Sequence, residues 1–416
     1  MSQLIMAQTN GRVVGGKDKV FEISGKAKAA IAKYGKEPVS NATIGAIMDD
    51  DCNLVVLSSV LEVLRNLAPE DFAEYAPPAG VPTYLEYAKQ AVFGKFRPEA
   101  YIEAAAAPGG TGALRNAVSL YTCPGDVITT ADWNWGPYKT LCQEQGRSLE
   151  TYNYFAEDGS FDLASFNAKM TDILSRQPRF MVFLNTPAHN PTGYCLSPKD
   201  WDGVLASTLE AAKDPEKKIV LVLDIAYIDF CKDPENERAF FKRFENLPEN
   251  VLVLVAFSMS KSYTVYGMRG GALLCISSSK AVADEFATVA AFASRGTWSN
   301  CNRSAMTILT RIYEDPQLKA RVDAEQAEIR DMLLRRGDAF VQAAQEADLK
   351  MTPFSAGFFC VIPCENPDAV CEELQKDNIF VLALAKGLRV SIASVSEAKC
   401  AAMPAKIKAA IKKING

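Results

Sequence analysis

The sequence holds a single histidine, His189, among 416 residues. Sites built from several imidazoles, such as most zinc and non-haem iron centres, are thereby excluded, and no metal is expected. A Ser-His or Cys-His mechanism has only that one base to draw on. A basic tract is also missing: 45 Lys+Arg stand against 50 Asp+Glu, a formal charge of −5. Such a slightly acidic, charge-mixed chain lacks the electrostatic footprint of a nucleic-acid binder. No apolar run reaches the roughly 18 residues of a membrane span. The stretch Met1–Gln8 has neither the basic start nor the apolar core of a secretory signal.

Cysteine is present but not arranged as a framework. The eleven Cys are odd in number and scattered from Cys52 to Cys400. None falls in a C-x-x-C pair, and the closest spacing is Cys360 to Cys364. This usage fits reduced thiols in a cytoplasmic protein better than disulfides.

What is there is an alternation. From about Tyr101, apolar runs such as 126–131, 179–185, 219–224, 251–257 and 271–276 alternate with helical stretches at 112–121, 136–145, 198–213 and 279–293. Continuous Val/Ile/Leu runs indicate strands buried on both faces of a mainly parallel sheet, hence an α/β fold. The segment 101–107 is read as a further strand. A helix is expected over Glu22–Tyr34, closed by Gly35. Residues 315–347 form one long charged helical pattern, followed by short strands and helices at 357–363, 367–377 and 388–393, and by a last helix from Ser396. The organisation expected is an N-terminal segment, 1–50, packing on a small domain; a large domain, 51–314; and a connecting helix with a small C-terminal α+β domain, 315–416.

Four segments carry chemistry. In 108–116 (PGGTGALRN), Gly110 and Thr111 stand between a strand and a helix, where free N–H groups favour an anion. A dinucleotide, helped by Asp132 beyond the next strand, a single-phosphate cofactor, and a plain turn all fit this segment. In 258–271 (SMSKSYTVYGMRGG), Lys261 follows an apolar strand among small hydroxyl residues, with Arg269 eight residues on. A desolvated Lys has a lowered pKa and can form a Schiff base with an aldehyde, whereas most Lys are only surface groups. In 219–227 (IVLVLDIAY), Asp224 ends an apolar run, where a carboxylate must be paired, hydrogen-bonded or solvated, or else caps the next helix. In 185–193 (NTPAHNPTG), Asn190 lies in turn chemistry directly after another strand.

In that order along one α/β chain, these segments resemble the aspartate/aromatic aminotransferase family, the class I/II aminotransferases among the fold type I pyridoxal-phosphate enzymes. S-x-S-K with Arg eight residues later, and A-H-N-P-T-G, carry the likeness, which extends from about Tyr34 to Ser394. The resemblance implies a large domain with helices on both faces of the sheet, and pyridoxal 5'-phosphate as cofactor. It makes Lys261 the residue that holds the cofactor and then moves protons. Asp224 becomes the partner of the pyridine nitrogen, and Asn190 with Tyr227 the pair on the phenolic oxygen. Trp135 is the residue stacked on the ring. Gly110, Thr111, Ser258 and Arg269 form the phosphate cup, with Tyr75 reaching in from the other subunit of a homodimer. Arg389 clamps the substrate's α-carboxylate, Gly45 closes backbone over it, and Arg295 meets a distal carboxylate across the dimer.

The implied activity is transfer of an amino group between an L-amino acid (aspartate, tyrosine or phenylalanine type) and 2-oxoglutarate or another 2-oxo acid. A pyridoxal-phosphate lyase or β-decarboxylase on the same scaffold is the alternative. There are departures from the family pattern. Ile47 and Met48 follow the Gly45 segment and predict a more apolar substrate mouth. Tyr138 stands where many members carry a His behind the cofactor, Gly109 replaces a frequent Ser, and His189 is read either as support behind the cofactor or as structural.

Overall fold

The computed structural model describes residues 6, 7, 9, 11, 12 and 19–416. Most of Met1–Gln8, and so much of what the signal reading rests on, lies outside the described residues, as does part of the 1–50 segment. Twelve strands follow one another in the described chain: β1 (Ser40–Asn41), β2 (Tyr101–Ala106), β3 (Val127–Ala131), β4 (Ser148–Tyr152), β5 (Arg179–Asn185), β6 (Lys218–Asp224), β7 (Val251–Ser258), β8 (Gly271–Ser277), β9 (Phe359–Pro363), β10 (Ile379–Phe380), β11 (Leu382–Leu384) and β12 (Gly387–Ser391).

Seven of them form one sheet in the order β2-β8-β7-β6-β5-β3-β4. Pairing is parallel throughout except around β8, which runs against both β2 and β7. The fold is therefore α/β with a mainly parallel sheet, as expected. The strands read as continuous apolar runs because both faces are covered: Val251–Ser258 is buried at every position. One set of side chains, such as Val253 and Val255, joins the larger apolar core. The alternate set, such as Leu252 and Leu254, packs with the helices Gly109–Tyr121 and Lys280–Thr297 on the other face. The ambiguous segment 101–107 is a strand.

β4 was not anticipated. It pairs only with β3 at the sheet edge; Ser148 and Thr151 are exposed, Leu149 and Glu150 half-buried, and Tyr152 alone is buried. An edge strand with one neighbour needs no continuous apolar run, so its sequence carries a weak signal.

The helix Pro316–Glu346 leads from this sheet to the second body of strands. There β9, β11 and β12 pair antiparallel, and β1 pairs with β10. The N-terminal helix, Lys19–Tyr34, buries Ile23 and Ala27 against Val39, Phe380 and Leu382. A fully buried Arg336 on the long helix donates to the carbonyls of Met48 and Ala393 and pairs with Asp50 at 2.8 Å. These contacts hold Met48 and Asp50 against the turn, Ile392–Ser394, that follows the strand carrying Arg389. No helix among the described residues is long and apolar enough to cross a membrane.

Candidate active site

β5, β6 and β7 run side by side and end, at one edge of the sheet, in Asn185, Asp224 and Ser258. A cavity of about 190 Å³ opens there, where ligands bind in parallel sheets. It is bordered by Gly110, Thr111, Trp135, Asn190, Asp224, Tyr227, Ser258, Lys261 and Arg269, residues drawn from segments far apart in sequence.

Lys261 lies in a single helical turn, Met259–Ser262, entered directly from β7. Its Nζ donates to the Gly45 carbonyl at 2.7 Å and sits 4.7 Å from the centre of the Tyr266 ring. Burial, helped by the charges of Arg269 and Arg389, brings its pKa down to about 8. Gly45 permits this approach: a Cβ there would stand 2.9 Å from Phe359 Cζ and 3.9 Å from the amine.

Asp224 is 6% exposed. Its Oδ2 accepts from the Tyr138 hydroxyl at 2.7 Å, and its Oδ1 accepts from the Ala226 N–H at 3.3 Å. Burial pushes its pKa up, while Tyr138, the Ala226 N–H, Asn185 and the Lys261 charge pull against that rise. Nearby, Asn190 Nδ2 donates to the Tyr227 hydroxyl at 3.2 Å. Trp135 meets Tyr138 edge to face, and Tyr138 stacks on Phe183.

Arg269 and the N-terminus of the helix Gly109–Tyr121 form the other cluster. Arg269 has a left-handed backbone (φ 56), and its guanidinium donates to Ser260 Oγ at 3.2 Å and to the Tyr266 carbonyl at 2.9 Å. A Cβ at Gly109, itself at φ 68, would stand 2.6 Å from Arg269 Nη2. The glycine that replaces the family's frequent Ser therefore makes room for the arginine. An Arg, the Ser258, Ser260 and Thr111 hydroxyls and a helix N-terminus make a complete donor set for a dianion.

Arg389 projects from β12. Its Nη2 donates to the Thr43 carbonyl at 2.8 Å, and its guanidinium lies 4.3 Å above the Phe359 ring. Two anticipated residues do not reach this cavity within one chain: Tyr75 is 84% exposed, and Arg295 is exposed with its Nη1 donating to Ser299 Oγ.

One expectation needs correction, and two readings left open are resolved. Ile47 is fully buried, and its N–H donates to the Tyr266 hydroxyl at 3.0 Å, so it belongs to the core rather than to an apolar mouth. His189 does not touch Asp224: its ring pairs with Thr192 and packs on Tyr154, and burial lowers its pKa to about 3. Asp132 accepts from the Trp133 and Tyr154 N–H groups and pairs with Lys386, which removes the acidic group that a dinucleotide reading needed. Tyr266, Asn185 and Ser260 line the cavity but were not singled out from the sequence. Asn185 was visible as the last residue of a β run, the same position that drew attention to Asp224.

The comparison with known protein families settles the classification. The model for "Aminotransferase class I and II" matches residues 40–407. The chain belongs to this family. It is similar along its whole length to an aminotransferase of solved structure from Anaerococcus prevotii (39% identity, TM-score 0.96, 98% of this chain and 100% of that one). It is also similar to the aspartate aminotransferase of Salmonella typhi, at 26% identity over 74% of this chain and 76% of that protein. An aromatic-amino-acid aminotransferase from Burkholderia pseudomallei, solved covalently bound to pyridoxal phosphate, shares the fold (23% identity, TM-score 0.78, 98% and 100% covered). The aminotransferase thus has its sheet edge, its half-buried lysine and its anion cradle where the four sequence motifs converge.

Proposed function

We propose that this aminotransferase uses pyridoxal 5'-phosphate to move an amino group between an L-amino acid of the aspartate, tyrosine or phenylalanine type and 2-oxoglutarate or another 2-oxo acid. The observation that carries the reading is the half-buried Lys261 amine standing between an anion cradle and a buried carboxylate. The residues present fit the cofactor. Arg269, Ser258, Thr111 and the helix N-terminus at Gly110 match its phosphate. Asp224, buried and raised in pKa, calls for a cationic partner, which a protonated pyridine nitrogen supplies. Asn190 and Tyr227 donate to the phenolic oxygen, and Trp135 covers the ring. When bound, pyridoxal phosphate contributes an aldehyde for an amine and a ring that draws electrons from the substrate's Cα.

The protein's own part is positioning and proton transfer. With a pKa near 8, an appreciable fraction of Lys261 is uncharged at neutral pH and able to act as nucleophile. Released from that role, the same amine carries a proton away from the substrate's Cα. Asp224 holds the ring nitrogen's proton, and Tyr227 fixes the phenolic oxygen beside Asn190. Arg389 binds the α-carboxylate as a bidentate fork, and the Gly45 backbone closes over it.

The working unit in this reading is a homodimer with shared sites. Tyr75 and Arg295 are exposed on one chain and reach the partner's phosphate and distal carboxylate. Residues 51–314 act as the cofactor-binding body, and 315–416, joined by 1–50, as the smaller one that carries Arg389. All eleven cysteines are free thiols, in keeping with a cytoplasmic setting.

The relatives described above are aminotransferases, which favours transfer over the lyase reading. The test is incubation with single amino acids and 2-oxoglutarate. Glutamate and the matching oxo acid are expected; ammonia with pyruvate would point to elimination instead.

A further inference from the structure

Behind the loop that carries Asn190, a second cavity of about 430 Å³ is bordered by Cys195, Ser197, Asp233, Asn236 and Glu237. The Cys195 and Cys231 sulfurs and a Glu237 carboxylate oxygen lie within 4.8 Å of one another. Four-coordinate zinc holds sulfur at about 2.3 Å and oxygen at about 2.0–2.2 Å, which places ligand atoms roughly 3.5–3.8 Å apart. The set therefore needs a closure of only about 1 Å to enclose an ion of that kind.

The surroundings favour a cation. Glu237 is half-buried, and its carboxylate has no ion-pair partner among the described residues. Asp233 adds negative charge beside it. Two neighbouring arginines are engaged elsewhere, Arg238 with Asp229 and Arg243 with Asp202. Cys231 is fully buried, while Cys195 and Glu237 border the open cavity, which gives an ion a path in and leaves room for a water as fourth ligand.

From this geometry we propose that Cys195, Cys231 and Glu237 form a binding site for one thiophilic divalent cation of the zinc class. Binding forms two metal–sulfur bonds and one metal–oxygen bond, and releases the two thiol protons to solvent without any change in oxidation state. The site sits where it braces the active centre. Cys195 follows Asn190 in one loop, Cys231 follows Tyr227 across a short turn, and Asn190 Nδ2 already donates to the Tyr227 hydroxyl at 3.2 Å. The proposal stands on the thiol and carboxylate geometry alone, independent of the cofactor reading.

The test uses reduced, metal-stripped holoenzyme titrated with Cd²⁺, followed by the thiolate-to-cadmium ultraviolet band, and with Zn²⁺, followed by metal retained after gel filtration. One ion per protomer is expected in wild type and in Cys364→Ser, a half-buried thiol elsewhere. Cys195→Ser and Cys231→Ser abolish that stoichiometric binding, and Glu237→Gln weakens it about tenfold or more. Circular dichroism checks folding. Should the buried Cys231→Ser fail to fold, the half-buried Cys195→Ser decides the matter. Absence of saturable binding in wild type, or full stoichiometry in Cys195→Ser, overturns the proposal.

Discussion

The Tyr138 hydroxyl donates to Asp224 Oδ2 at 2.7 Å, with both side chains buried at the end of β6. Tyr138 is a positioning residue acting through Asp224, and it occupies the place where many family members carry a His. A hydrogen bond to a charged group contributes about 1.5–3 kcal/mol. Tyr138→Phe removes a donor that stabilises the carboxylate, and kcat is expected to fall about tenfold or more, with KM for the amino acid little changed. Tyr138→His restores most of the loss. Steady-state kinetics of the two variants check this; an unchanged kcat in Tyr138→Phe contradicts it.

Sharing of sites between subunits has its own test. Lys261→Ala and Arg295→Ala, each inactive with glutamate, are unfolded together and refolded as a mixture. If Arg295 serves the partner's site, half the dimers are hybrids with one intact site, and about a quarter of wild-type activity returns. No recovery places Arg295 and Lys261 in the same chain's site.

The cost of burying Lys261 is visible in the cofactor-free protein. Its pKa lies near 8 in the folded state, below the ordinary 10.5. Between those values the unfolded chain binds more protons, so stability rises with pH. Below about pH 8 both states are protonated and the full penalty remains. Lys261→Met is therefore expected to be more stable than wild type at pH 7, by up to about 3 kcal/mol, with the difference shrinking as pH approaches 10.5. Urea denaturation at several pH values measures it; a difference that does not vary with pH contradicts the assignment.

Much of the sheet was legible because its strands are buried on both faces and announce themselves as apolar runs. Asp224, Lys261 and Asn190 stood out because polar residues that end such runs fall at the strands' carboxyl edge, where the cavity forms. The edge strand β4 escaped because only one of its five residues is buried. Tyr266 escaped for a different reason: its role depends on Ile47 and Lys261 arriving from distant segments, and no spacing announces that. Ile47 looked like a mouth residue in sequence, yet its side chain turns into the core. The Cys195–Cys231–Glu237 cluster was equally hidden, since Cys195 lies 36 residues before Cys231 and joins the Cys231–Glu237 segment only through packing.

The central claim is that Lys261 is the amine that holds the cofactor. Borohydride reduction of the holoenzyme followed by peptide mass spectrometry tests it most directly. The account predicts that the cofactor's mass is fixed on Lys261, and that Lys261→Ala shows neither that adduct nor the visible absorbance of the lysine-bound cofactor. A stoichiometric adduct on any other lysine, or an unaltered spectrum in Lys261→Ala, contradicts it.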